Sequence, residues 1–260
     1  MAQKRESFSV ISRRRKNVKE VKSLAQKAYQ MIREEILRGE LRVGDNFSRR
    51  QLAKKFNMSF LPITEALKQL ESEGLVESRP RAGTRVRIPT KQEILDGYVV
   101  REALESQAAR LCCERMTASE REQITQSAKE LDALYKAIPE HVNDSRFLFA
   151  VHFQHMVFHL RIAELSHSPG LLNAIEKQQV LIFNWIYDTA VDLISPPSNF
   201  HYDLAKAICS GDVLKADECM RSHIRYRLDE EVKGLGTLKD ASAWRAKRAV
   251  RCNSLVSGCP

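Results

Sequence analysis

Two of the seven histidines, His155 and His159, stand four residues apart inside a run with helical apolar spacing that ends near Ser166. That separation places both rings on one helix face, one turn apart. Two imidazoles so arranged either join further ligands from facing helices around a metal ion or act as hydrogen-bonded core residues. The six cysteines offer less chemistry. Cys112, Cys113, Cys209, Cys219, Cys252 and Cys259 contain no C-x-x-C pair, and the chain lacks the pattern of a secreted disulfide framework. They read as reduced thiols rather than as a disulfide set or a thiolate metal site.

Charge separates the chain into two unlike parts. Residues 1–90 hold 21 Lys and Arg against 10 Asp and Glu, a net of +11; residues 91–260 hold 21 against 23, a net of −2. The basic excess is thus confined to one third of the chain, which points to a polyanion partner for that third. A merely solubilising basic surface is the plainer alternative. At 43% hydrophobic and 29% charged residues, the composition is that of a globular protein. No apolar run approaches the roughly 20 residues of a membrane span, and the first residues lack the apolar core of a secretory signal, so a cytoplasmic location is expected.

The elements that must position these residues follow from period and punctuation. Residues 1–22, with Arg13, Arg14, Arg15 and Lys16 in one run, form a basic arm without apolar period. From Leu24 a helical stripe of Ala28, Met31, Ile32, Glu35 and Ile36 runs to Gly39. Ser48 is placed to cap a short second helix carrying Leu52, Ala53 and Phe56. Ser59 is placed to cap a third, with Ile63, Ala66, Leu67 and Leu70 inward and Pro62 in its first turn. Two β-like runs follow, 75–78 and 84–88, around a hairpin tip at Arg79-Pro80-Arg81-Ala82-Gly83. Three helices and a two-stranded wing are the order of a winged helix-turn-helix.

After Pro89-Thr90 the pattern is helical almost throughout. Helices are expected at about 91–115, from the capping box Thr117-Ala-Ser-Glu120 to about 137, about 144–166, about 168–191, from Pro196-Pro197-Ser198 to Gly211, and from Asp212 to about 233. Short connections predict an antiparallel bundle. The chain therefore reads as mainly α: an arm (1–22), a winged helix-turn-helix (23–89), an all-α helical effector and dimerisation domain (90–233) and a weakly patterned tail (234–260). Ile94, Val99, Leu104, Ala108 and Leu111 on the first bundle helix offer an apolar stripe for a homodimer, which a winged helix reading two half-sites needs.

The stretch Ile36-Leu-Arg-Gly39-Glu-Leu41-Arg-Val-Gly44, Leu52-Ala53, Ser59-Phe-Leu-Pro62-Ile-Thr-Glu65-Ala66-Leu67, Leu70-Glu-Ser-Glu-Gly74-Leu75 and Gly83 resembles the GntR family of bacterial regulators. The resemblance implies a DNA-binding transcriptional regulator acting on double-stranded operator DNA. It points to Arg50, Ser59, Phe60, Thr64, Arg81, Gly83 and Arg85 as the DNA-facing set. Many members carry arginines at the positions of Phe60 and Thr64, and this chain has neither. Phe60 can instead touch a thymine methyl, or simply cover apolar surface at the helix start; Thr64 can reach a phosphate or a base edge.

Residues 93–227 resemble the effector domain of the FadR branch of that family, the FCD domain, through Arg101-Glu-Ala-Leu104-Glu105, Phe158-His159 with Ile162-Ala163, His201, Ala205 to Gly211-Asp212, Ala216 and His223. Members often hold one divalent metal through Asp-x-x-x-His and two later histidines. The resemblance thus implies His155, His159, His201 and His223 as ligands of a zinc- or nickel-like ion, with His155 standing where Asp is usual and His152 as a substitute or supporting group. Losing that Asp leaves the site short of negative charge, which a small carboxylate effector would restore. Arg101 would hold this effector, unless Glu105 takes Arg101 in a salt bridge. Two alternatives stand beside this reading. One is a metal-independent acyl-CoA-responsive regulator. The other is a metal-dependent hydrolase, against which counts the absence of a carboxylate base in the histidine cluster.

Overall fold

The computed structural model describes residues 23–37, 40–41, 44–79, 83–88, 90–141, 144–178 and 196–235. The arm, Gly39, Arg81, most of the tail and the later part of the helix expected at 168–191 lie outside the described residues.

The first helix, α1 (Leu24–Leu37), buries Ala28, Ile32 and Ile36 of the expected stripe completely, whereas Met31 of that stripe is exposed. Glu35 lies on the buried face too; its Oε1 pairs with Lys55 Nζ at 2.6 Å, while its Oε2 is buried without a hydrogen-bond partner. Helix α2 (Arg49–Phe56) starts in a full capping box, Ser48 Oγ accepting from Gln51 N and the Gln51 side chain accepting from Ser48 N. It ends at Asn57 in the left-handed conformation, a geometry that Asn tolerates better than most residues. Helix α3 (Phe60–Ser72) follows after three residues, with Ile63, Ala66, Leu67 and Leu70 inward as expected. Ser59 sits at its N-cap position but makes no side-chain capping bond.

The wing has three strands where two were expected. Strand β1 (Asn46–Phe47) pairs antiparallel with β3 (Gly83–Val86), which also pairs with β2 (Val76–Arg79). Two residues are too few to show a period of two, so β1 was illegible by pattern. Gly83 is required at its place: φ is +86°, and a Cβ there would lie 3.0 Å from the Phe47 carbonyl oxygen.

The C-terminal part is a helical bundle: α4 (Lys91–Arg115), α5 (Ala118–Lys136), a 3-10 turn (Ile138–His141), α6 (Ser145–Leu165), α7 (169–178), α8 (Phe200–Ile208) and α9 (Val213–Leu235). Helices α4 and α5 open in capping boxes formed by Thr90 with Glu93 and Thr117 with Glu120. A bundle core collects Ile94, Tyr98, Ala109, Ile124, Leu131, Phe158, Ile162, Leu204, Ile208 and Ile224, among others. The apolar stripe expected on α4 divides: Ile94 and Ala108 are spent in this core, whereas Val99 is 69% exposed.

Helix α6 is buried nearly all round, because it touches both parts of the molecule. Phe153 and Met156 belong to the same apolar cluster as Ala28, Ile32, Ile36, Leu67 and Val86 of the winged helix, with Phe149, Val157 and Leu160 packed beside them. Arg33 of α1 adds a hydrogen bond to the Glu176 carbonyl of α7 at 3.4 Å.

Candidate metal centre

His155 and His159 project from α6 and His223 from α9, and one ring nitrogen from each lies within 4.8 Å of the others. The Nε2 of His159 is 3.0 Å from that of His155 and 3.2 Å from that of His223. All three residues are buried. The four-residue spacing in one helix does what it promised, bringing two imidazoles together with centroids 4.6 Å apart.

Behind His159 stands Glu105 of α4. Its Oε2 accepts from His159 Nδ1 at 2.5 Å, and its Oε1 accepts from Arg101 Nε at 2.6 Å. Burial alone would raise the Glu105 carboxyl; the charges of Arg101 and His159 and their hydrogen bonds outweigh it and hold it at about 2. The Glu105 carboxylate accepts at Nδ1, so Nε2 is the His159 atom that faces the cluster.

His201, at the start of α8, is oriented the same way by a different carboxylate. Asp132 of α5 accepts from His201 Nδ1 at 2.7 Å and from the backbone N–H groups of His201 and Tyr202 at 3.1 and 2.9 Å. Burial pushes Asp132 up, but these hydrogen bonds prevail and hold it below the usual carboxylate range. Asp132 thereby caps α8 from another helix, because Asn199 at the N-cap is left-handed and makes no side-chain capping bond. The His201 ring stacks on Tyr135 at 5.1 Å and lies 5.1 and 5.2 Å from the rings of His155 and His223. It borders the tightest trio of donors without belonging to it. His152 is buried one turn before that trio and is not part of it either.

This geometry corrects one expectation. Two carboxylates back the histidines, Glu105 behind His159 with Arg101 balancing its charge and Asp132 behind His201, so the lack of acidic groups no longer argues against hydrolysis. Both carboxylates are, however, committed to histidine Nδ1 atoms. Glu105 was visible in sequence only as the residue one turn after Arg101. Asp132, in Glu130-Leu131-Asp132-Ala133, gave no local signal because its partners lie about 70 residues on. Arg101 itself is buried against Glu105, the salt-bridge arrangement.

The donor set suits a transition metal. Three imidazoles with converging nitrogens, one of them held by a carboxylate at its other ring nitrogen, match the ligand chemistry of a zinc-like ion and its supporting hydrogen bonds.

The DNA-facing candidates divide as well. Arg50 is exposed in the first turn of α2, and Phe60 is exposed at the first residue of α3. The Thr64 hydroxyl donates back to the Phe60 carbonyl at 2.8 Å. Arg85 is buried in the wing and ion-paired with Glu77, so its charge is engaged within the sheet. Arg81 lies outside the described residues.

A winged helix-turn-helix with a basic surface, fused to a helical bundle with a buried polar centre, has the architecture of a DNA-binding regulator. Comparison with known families agrees: residues 24–86 match the family "Bacterial regulatory proteins, gntR family", and residues 96–226, half of the chain, match the FCD domain. The chain belongs to the GntR family of bacterial regulatory proteins and carries an FCD domain. It is similar to the uncharacterized HTH-type transcriptional regulator YdhC of Bacillus subtilis, 29% identical over 154 residues that span 59% of this chain and 66% of that protein. It is also similar to the HTH-type transcriptional repressor RspR of Escherichia coli, at 24% identity over 80% of this chain and 88% of that protein. Among solved structures, E. coli McbR/YncC superposes with a TM-score of 0.65 at 21% identity, covering 82% of this chain and 98% of that one, which confirms the fold. Family and relatives are named as regulators, not enzymes. Among the described residues, no helix is long and apolar enough to cross a membrane.

Proposed function

We propose that this protein is a homodimeric, cytoplasmic transcriptional regulator whose affinity for operator DNA is set by a metal centre and a small carboxylate effector in the FCD domain. The single observation that supports this most is the position of the histidine trio. His155 and His159 sit on α6, and α6 also inserts Phe153 and Met156 into the core of the winged helix. Whatever reorients the histidine face of α6 therefore acts on the DNA-binding head through direct packing, without relying on the linker at Pro89-Thr90.

His155, His159 and His223 would hold a zinc- or nickel-like ion, with His201 beside them as the fourth imidazole. When bound, such an ion supplies an open coordination position for an anionic ligand. Glu105 and Asp132 orient the rings of His159 and His201. Arg101 is the buried cation beside the cluster; an entering carboxylate would share its guanidinium with Glu105. A carboxylate is favoured over acyl-CoA because the site gathers imidazoles beside a guanidinium. Arg50, Ser59, Phe60 and Thr64 would face the operator, with the wing around Arg81 and Gly83 beside them. Arg85 would brace the wing through Glu77. Repression is the sign of regulation carried over from RspR.

The test joins both halves. Purified full-length protein is assayed for metal content and for operator affinity with and without chelator, beside His159→Ala/His223→Ala. The expected outcome is about one ion per chain, lost in the double variant, together with a chelator-dependent change in operator affinity that the variant no longer shows. A double variant with the metal content and DNA response of the parent would overturn the proposal.

A further inference from the structure

The start of α3 presents two adjacent large apolar side chains to solvent. Phe60 and Leu61 are 57% and 67% exposed, while Pro62 and Ile63 beside them are buried. The first turn thus reads Phe-Leu-Pro-Ile and has no side chain able to make a hydrogen bond. One turn on, the Thr64 hydroxyl is spent on the Phe60 carbonyl at 2.8 Å. Around this apolar tip the surface is cationic: Arg49, Arg50 and Lys54 on α2 and Lys68 on α3 are exposed. Residues 1–90 carry a net of +11.

These observations separate two tasks. The cations can hold phosphates and set the register of the helix, but they carry no base sequence. At the tip that would meet base edges, the first helical turn offers no side-chain hydrogen bond, and the Ser59 hydroxyl at the N-cap is the one polar side chain immediately before it. On the major-groove edge of the four base pairs, the single apolar group is the 5-methyl of thymine.

We propose that Phe60 and Leu61 form an apolar reader of thymine methyl groups, making this regulator select its operator by shape and methyl contact where hydrogen bonds to guanine would otherwise serve. The inference rests on the reading of this chain as an operator-binding regulator and adds the residues and base chemistry that give it specificity. Leu61 is the partner that the family pattern did not single out.

The full-length chain is first used to select its preferred duplex from a random library. Each thymine in the selected half-site is then replaced in turn by uracil, which removes the methyl and leaves base pairing intact. The expected result is a loss of about fourfold in affinity for each contacted methyl, at one to three positions. Phe60→Ala and Leu61→Ala should fold as the parent does, because both side chains are exposed, and should no longer distinguish thymine from uracil at those positions. Unchanged affinity for uracil duplexes, or discrimination that persists in both variants, would overturn the inference while leaving the regulator reading intact. A variant that alters the oligomeric state but not the discrimination would instead make the pair a protein interface, and the inference would fall. Failure to select any duplex would reject the regulator reading itself.

Discussion

Helix α6 has two buried faces of unlike chemistry, roughly 100° apart around its axis at 3.6 residues per turn. One carries His155 and His159, whose rings are held by directional contacts to Glu105, His223 and each other. The other carries Phe149, Phe153, Met156 and Leu160, packed in the apolar cluster of the winged helix. Hydrogen-bonded networks have few alternative geometries, whereas an apolar face built partly from methionine and phenylalanine can repack at small cost. The difference teaches where control and response belong: the polar face is the one a ligand can bias, and the apolar face is the one free to answer.

The largest expected effect comes from the apolar face. Phe153→Ala should destabilise the protein by about 3–5 kcal/mol, since the side chain is buried between the two parts of the molecule. Thermal unfolding measures the loss. If the winged helix is coupled through this contact, the variant should also bind DNA with the same affinity whether or not metal is present. A variant that is destabilised yet still metal-responsive would break the comparison and return the coupling to the linker.

On the polar face, Glu105→Gln keeps the shape but removes the anion that accepts at His159 Nδ1. Metal affinity should fall by about 10–100-fold, the usual effect of losing such a supporting partner. Competition with a chromophoric chelator gives the number, and an unchanged affinity would show that His159 does not depend on Glu105.

The smallest effect lies outside both faces. Glu102 of α4 holds Arg221 and Arg225 of α9 at 3.0 and 2.7 Å near the surface, and hydrogen bonds from Arg225 and Arg221 lower its carboxyl from the ordinary value. A lowered folded value means that the pair stabilises the protein above the normal carboxylate range and ceases to do so as pH falls through and below that range. Solvent screening keeps the contribution small, as for exposed pairs in general. Glu102→Gln should therefore flatten the stability profile slightly between neutral and acid pH, without touching metal content.

Sequence by itself determined the elements and much of the family. The capping boxes at Ser48, Thr90 and Thr117, the inward stripes of α1 and α3, and the spacing of His155 and His159 are local relations, set within one or two turns of a helix. The ordered motif from Ile36 to Gly83 was enough to identify the GntR domain. The 4-3-4 spacing of Phe149, Phe153, Met156 and Leu160 was also present in the sequence, but spacing does not say which partner a buried stripe meets. Tertiary structure alone decided that this stripe serves the winged helix, that Asp132 caps α8 and orients His201, and that Arg101 faces Glu105. It also decided that β1 completes the wing. Each of these depends on groups brought together from distant segments or on a choice between two chemically sound partners. Local propensity and period carry no information about such choices; only the packing of the whole chain makes them.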